Sequence, residues 1–203
     1  MSTPEASLQD ELREALKLTA VGLKRAEVPF ALCGGYAAWV RGAPEPSHDA
    51  DFLVAAQDAD RAAEALRDAG LWVERPPEDW LFKVRSAEGA ESFVDVLWRL
   101  CDVPVEQDLL DRSDTLSVLS VLMPVLAATD VVAGKLAALT EHYCDFARLL
   151  PVARALREQV DWAAVRDRTA ANDFAAAFLV LLERLGVVEP ADASEASPAA
   201  ASS

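Results

Sequence analysis

Phe30-Ala31-Leu32-Cys33-Gly34-Gly35, answered further on by His48-Asp49-Ala50-Asp51-Phe52-Leu53-Val54, is the part of the chain whose reading decides the rest. The four apolar residues before the glycines predict a short buried strand. Gly34-Gly35 then opens a helix over Tyr36 to Arg41. Glycine lets a phosphate approach the backbone, and a helix N-terminus offers free N–H groups to it. A tight strand-to-helix turn without a ligand explains the pair equally well. Gly42 to Ser47, with Pro44 and Pro46, is a loop, and Asp51 to Val54 is the next strand. Strand residues two apart point the same way, so Asp49 and Asp51 are expected to converge. Two carboxylates at one point repel unless a cation joins them, and such oxygen donors suit Mg²⁺ or Mn²⁺.

A third acid follows in Phe93-Val94-Asp95-Val96-Leu97. A lone carboxylate in an apolar strand is costly to bury unless paired or metal-bound, so Asp95 is the natural third corner of a two-metal site. Its bland alternative is a salt-bridged acid on an edge strand. Lys83 and Arg85 lie two apart on the preceding strand-like run, where they either face phosphates or are simply solvated.

Outward from this centre, Leu8 to Ala26 has apolar residues at helical spacing, and residues 1–7 are polar and expected to be loose. Asp58 is placed as the cap of a helix ending at Ala69, stopped by Gly70. Leu71–Glu74, Trp80–Arg85 and Ser92–Leu97 read as strands, and Leu116–Val121 with Met123–Leu126 as a hairpin or a short connector. From Thr129 the pattern is helical, with starts near Thr129 and Asp161 and Asn172 as the cap of the last helix. Glu189 to Ser203, rich in Ala, Ser and Pro, is expected to be disordered. The fold class is therefore α/β (α+β): an α/β half over 1–128, an all-helical part over 129–188, and the tail over 189–203.

Composition bounds the partners. Of 203 residues, 34 are acidic and 19 basic, a net charge of -15, the opposite sign from proteins that hold long nucleic acid by its phosphates. Any such contact would be short and local. Cys33, Cys101 and Cys144 form no metal-binding spacing and read as reduced core thiols in a cytoplasmic protein. The five tryptophans read as core and interface filler, and His48 as an exposed loop residue rather than a ligand. The N-terminus lacks a signal-peptide pattern, and no apolar run is long enough to span a membrane.

Gly34-Gly35, the Asp49/Asp51 pair and the late Asp95 together resemble the polymerase-β-type nucleotidyltransferase superfamily. The order of motifs is most similar to the AbiEii family of bacterial toxin nucleotidyltransferases. That family continues with a helix opening on Lys-Leu-x-Ala-Leu, seen here as Lys135-Leu136-Ala137-Ala138-Leu139, followed by an Asp, here Asp145. The resemblance covers roughly 28–160. One position departs from it, because Glu45 stands where the family often carries arginine, removing a positive charge from the mouth of the site.

The resemblance implies a minimal nucleotidyltransferase fold with a mixed sheet over 1–128, a C-terminal helical bundle over 129–188 that completes the active site, and transfer of an NMP from an NTP to an acceptor hydroxyl. Asp49, Asp51 and Asp95 would bind Mg²⁺. Gly34, Gly35, Lys83 and Lys135 would hold the nucleotide, with Asp145 orienting Lys135 or the base. In that family the acceptor, where known, is the 3′ end of tRNA, and the enzyme is the toxin of a toxin–antitoxin pair, which would make an antitoxin protein a partner. Arg148, Arg154 and Arg157 are the basic residues available to an RNA end. Two other readings stay open: the same chemistry on a small molecule or a protein side chain, and a degenerate NTP-binding regulatory module. For Lys135 the bland reading is a snorkelling surface lysine. For Asp145 it is a pairing with Arg148 on the same helix face.

Overall fold

The computed structural model describes residues 4–101 and 103–190. Residues 1–3, and 191–203 of the expected tail, lie outside the described residues.

The first helix, α1, spans Pro4–Arg25. It starts earlier than the apolar spacing suggested, so residues 4–7 are helical rather than loose. Proline is compatible with a first helical turn, where its missing N–H would find no partner anyway. Leu12, Leu16 and Leu23 of α1 are buried, as helical spacing requires. Strand β1 (Phe30–Cys33) is buried at every position and leads directly into α2, Gly34–Val40. After the loop comes β2, Ala50–Val54, then α3, Ala59–Asp68. Asp58 stands at the N-cap position of α3, but its side chain makes no capping bond and instead lies 3.6 Å from Arg61.

Strands β3 (Trp72–Glu74), β4 (Leu81–Arg85) and β5 (Val94–Leu97) follow. Sequence patterning missed a small hairpin, β6 (Arg99–Leu100) with β7 (Val103–Pro104), and the short α4, Gln107–Asp111. β6 and β7 have two residues each, too few to show alternation, and the five residues of α4 make little more than one turn. The expected hairpin is present as β8 (Asp114–Val118) and β9 (Val121–Val125). Its two turn residues, Leu119 and Ser120, both have positive φ, as the tightest hairpin turn demands.

The seven strands form one mixed sheet in the order β3-β4-β5-β2-β1-β9-β8. Pairing is antiparallel except for β2 with β5 and β1 with β9. The four C-terminal helices are α5 (Ala128–Ala137), α6 (Phe146–Leu156), α7 (Trp162–Arg168) and α8 (Asp173–Arg184). Asp161 and Asn172 cap α7 and α8 by accepting from Ala164 N and Ala175 N, each at 3.0 Å. One buried apolar cluster runs from Leu12 of α1 through Phe52 and Val125 of the sheet to Phe178 of α8.

Two expectations about the core are corrected. Cys33 is buried, but Cys144 is half-buried and Cys101 is exposed, donating to Gly134 O at 3.7 Å. Trp72 and Trp80 are likewise exposed, while Trp39, Trp98 and Trp162 pack against the core.

Candidate functional site

Strand register assembles the site. Glu74, Lys83, Asp95, Asp51 and Cys33 are successive Cα partners across β3, β4, β5, β2 and β1. Laterally paired residues share a face, so these five side chains form one row across the sheet. Two like charges, Asp95 and Asp51, are immediate neighbours in that row, an arrangement that is unfavourable without a cation.

Asp51 is partly buried. Burial first, and then the charge of Asp95, pushes its carboxyl up to about 6; Asp49 adds to this, while Lys135 and Lys83 oppose it. Asp95 is also raised, because burial outweighs the hydrogen bond and charge of Lys83. Lys83 Nζ donates to Asp95 Oδ1 at 2.9 Å and sits 3.8 Å from the centre of the Phe93 ring. Arg85 turns to other partners, Ala90 O at 2.7 Å and Glu74 at 3.4 Å.

Gly34 has a role beyond the one its sequence suggested. It has φ +63, and a Cβ placed on it would lie 2.0 Å from Asp51 Oδ2. The Asp51 carboxylate therefore occupies the space that any side chain at 34 would take. Asp49 does not lie on the strand. It precedes β2 with φ 52, in the left-handed region that only a few residue types tolerate. It approaches Asp51 through a turn rather than through strand alternation.

Gly35, Asp49, Asp51, Lys135 and Arg148 line a cleft of about 540 Å³, closed on one side by the loop from Pro44 to His48 and on the other by Pro151 and Val152 of α6. Lys135 lies in the last turn of α5, not at a helix start. It is half-buried beside Asp51, whose carboxylate its charge favours. Asp145 belongs to its own helix: it caps α6 by accepting from Arg148 N at 3.2 Å and pairs with the Arg148 side chain at 3.2 Å. Of the other two arginines expected to serve an RNA end, Arg157 pairs with Glu158.

Glu45 lines the cleft, but it is not a free loop residue. Arg13 of α1 grips it with Nε at 2.9 Å and Nη2 at 2.7 Å. That hydrogen bonding holds the Glu45 carboxyl below its ordinary range. Gln9 Nε2 reaches Glu45 Oε1 and Pro46 O at 3.1 Å each and the Tyr36 hydroxyl at 2.8 Å. Burial pushes that Tyr36 hydroxyl up to about 12. Sequence reading missed this network because the bonded partners are 27 to 37 residues apart and neither Gln9 nor Arg13 belongs to a motif.

The donor set is all carboxylate oxygen and carries adjacent like charges, which fits a hard divalent cation held by Asp49 and Asp51. Among the described residues, no three His, Cys, Asp or Glu side chains stand ready as a metal cage. The candidate third ligand, Asp95, is instead engaged by Lys83. Among the described residues no helix is long and apolar enough to cross a membrane.

No curated protein matches the chain. Two solved structures share its fold. The solution structure of the antibiotic-resistance factor ANT(2'')-Ia superposes with a TM-score of 0.57 at 12% identity, covering 86% of this chain and 96% of that one. Its crystal structure in complex with adenylyl-2''-tobramycin gives 0.53 at 10% identity, covering 83% and 97%. The architecture is thus a mixed α/β, nucleotidyltransferase-like fold. A sequence family described as "Uncharacterised nucleotidyltransferase" matches residues 8–193, and the chain belongs to that nucleotidyltransferase family.

Proposed function

We propose that the cleft binds an NTP together with Mg²⁺ or Mn²⁺ and transfers the NMP to an acceptor hydroxyl, releasing pyrophosphate. The observation that carries this is the lateral pairing of Asp51 with Asp95, with Asp49 close enough to raise both. A cation bound there supplies electrostatic stabilisation of the phosphates and activation of the attacking oxygen. The acceptor oxygen bonds to the α-phosphorus, the α–β phosphoanhydride breaks, and the hydroxyl proton passes to Asp95, whose raised carboxyl suits it as a base. Lys135, beside Asp51, counters the triphosphate charge. Lys83, bonded to Asp95 at 2.9 Å, adds a second positive charge beside the phosphates. Gly34 and Gly35 leave the backbone open to them. Asp145 acts through Arg148, which it orients at the cleft wall.

For the acceptor, the net charge of -15 and the cleft volume of about 540 Å³ favour a small-molecule hydroxyl. The neighbour crystallised with adenylyl-2''-tobramycin lends that reading its fold alone. The second reading is a tRNA 3′ end, with the enzyme as an AbiEii-like toxin held by an antitoxin. It is supported by the order of motifs and by Arg148, exposed and in the cleft. Each labelled NTP incubated with Mg²⁺ and either total tRNA or a panel of polyhydroxylated small molecules separates the cases. Label on an acceptor, lost in Asp49→Ala, supports the transfer and names the class. Label on the protein itself indicates a side-chain acceptor. Bound NTP with no transfer in any mixture defeats the enzymatic reading in favour of a regulatory module.

A further inference from the structure

The loop that carries Asp49 is held from outside the cleft. Asp49 sits at φ 52, a left-handed conformation that aspartate tolerates better than most side chains but holds at some cost in backbone energy. From the cleft side, Pro46 packs on Gly35, close enough that a Cβ at 35 would lie 3.0 Å from Pro46 Cβ. From the other side, α1 supplies the bidentate Arg13–Glu45 pair and the Gln9 bonds to Glu45 and Pro46 O. Glu45 and Pro46 are four and three residues before Asp49, within one short loop.

We infer that Arg13 and Gln9 are positioning residues that fix the loop at 45–49, so that Asp49 is presented to the cation beside Asp51. This rests on the proposed reading of Asp49 and Asp51 as a cation site. A bidentate guanidinium–carboxylate pair fixes direction as well as distance, which a lysine at 13 would not. Without the pair, the loop populates conformations in which Asp49 points away. Apparent cation affinity then falls in proportion to the competent fraction.

The test compares Mn²⁺ affinity by electron paramagnetic resonance with amide hydrogen exchange at Ser47, His48 and Asp49. It uses the wild type, Arg13→Met, Glu45→Gln (which keeps the side-chain shape if Arg13→Met folds poorly) and the swapped pair Arg13→Glu with Glu45→Arg. The single variants should bind Mn²⁺ about tenfold more weakly and exchange these amides faster, and the swap should recover much of both. Transfer at saturating metal should stay within about threefold of wild type, a loss in apparent affinity rather than in turnover. Unchanged Mn²⁺ affinity and unchanged exchange in Arg13→Met and Glu45→Gln overturn the positioning role and leave the cation site standing. A wild type that binds no Mn²⁺ overturns the cation site, and the positioning role with it.

Discussion

Replacing Asp51 by asparagine should stabilise the metal-free protein, and the gain should depend on pH in a defined way. Burial and the neighbouring acids lift the Asp51 carboxyl from 3.8 to about 6. At about 1.4 kcal/mol per pH unit, keeping it ionised in the folded state costs about 3 kcal/mol. Between those two values the folded chain holds more protons at this position than the unfolded chain. Stability from this group is therefore fully present below pH 3.8 and lost as pH rises through about 6. Asparagine does not titrate. In urea unfolding with a chelator, Asp51→Asn should exceed the wild type by about 3 kcal/mol at pH 7.5 and by about half of that at pH 5. Any fixed cost of fitting the amide is the same at both pH values and cancels in the difference. Saturating Mg²⁺ should shrink the gap at pH 7.5 by stabilising the wild type alone. A gap that is the same at both pH values, or a variant less stable at pH 7.5 than at pH 5 relative to wild type, would show that the row of acids is not strained.

Four further outcomes follow from particular contacts. Gly34→Ala drives a Cβ to 2.0 Å from Asp51 Oδ2 at φ +63; it should destabilise by about 2–4 kcal/mol in chemical denaturation and abolish transfer. Lys83→Met leaves the Asp95 carboxylate half-buried without its 2.9 Å partner; it should cost about 1–3 kcal/mol of stability and raise the apparent pKa of the basic group in the pH–rate profile. Lys135→Met should lower kcat/KM for the NTP about 100-fold in steady-state kinetics without moving the melting midpoint by more than a few degrees. Thr19 Oγ1 is buried without a hydrogen-bond partner, so Thr19→Val should raise stability by about 1 kcal/mol in the same urea titration.

Much of this was legible in the chain itself, and the parts that were not have physical reasons. β1, β2 and the hairpin of β8 and β9 announce themselves as apolar runs bounded by turn residues, and Asp161 and Asn172 announce their helices as caps. Asp49, Asp51, Asp95 and Lys83 could be nominated because acids and lysines in or beside apolar strands need partners. Which of them meet was set by register, a long-range property: a slip of one would place Asp95 opposite buried Ala50 or Phe52 on β2 and on the other face. The approach of Asp49 was misjudged because alternation applies within a strand, and Asp49 lies before it. The helical pattern from Thr129 matches α5, which begins at Ala128, but Lys135 sits in its last turn and not at the helix opening that the resemblance implies. Glu45 looked like a missing positive charge because its partner, Arg13, lies 32 residues earlier in α1 and only the tertiary fold brings the two together.

The most direct test of the central claim is calorimetric titration of Mg²⁺–NTP into the wild type and into the double variant Asp49→Ala plus Asp51→Ala. Saturable binding to the wild type that disappears in a folded double variant is the result expected from a cation site at the end of β2. Equal binding to both would contradict it.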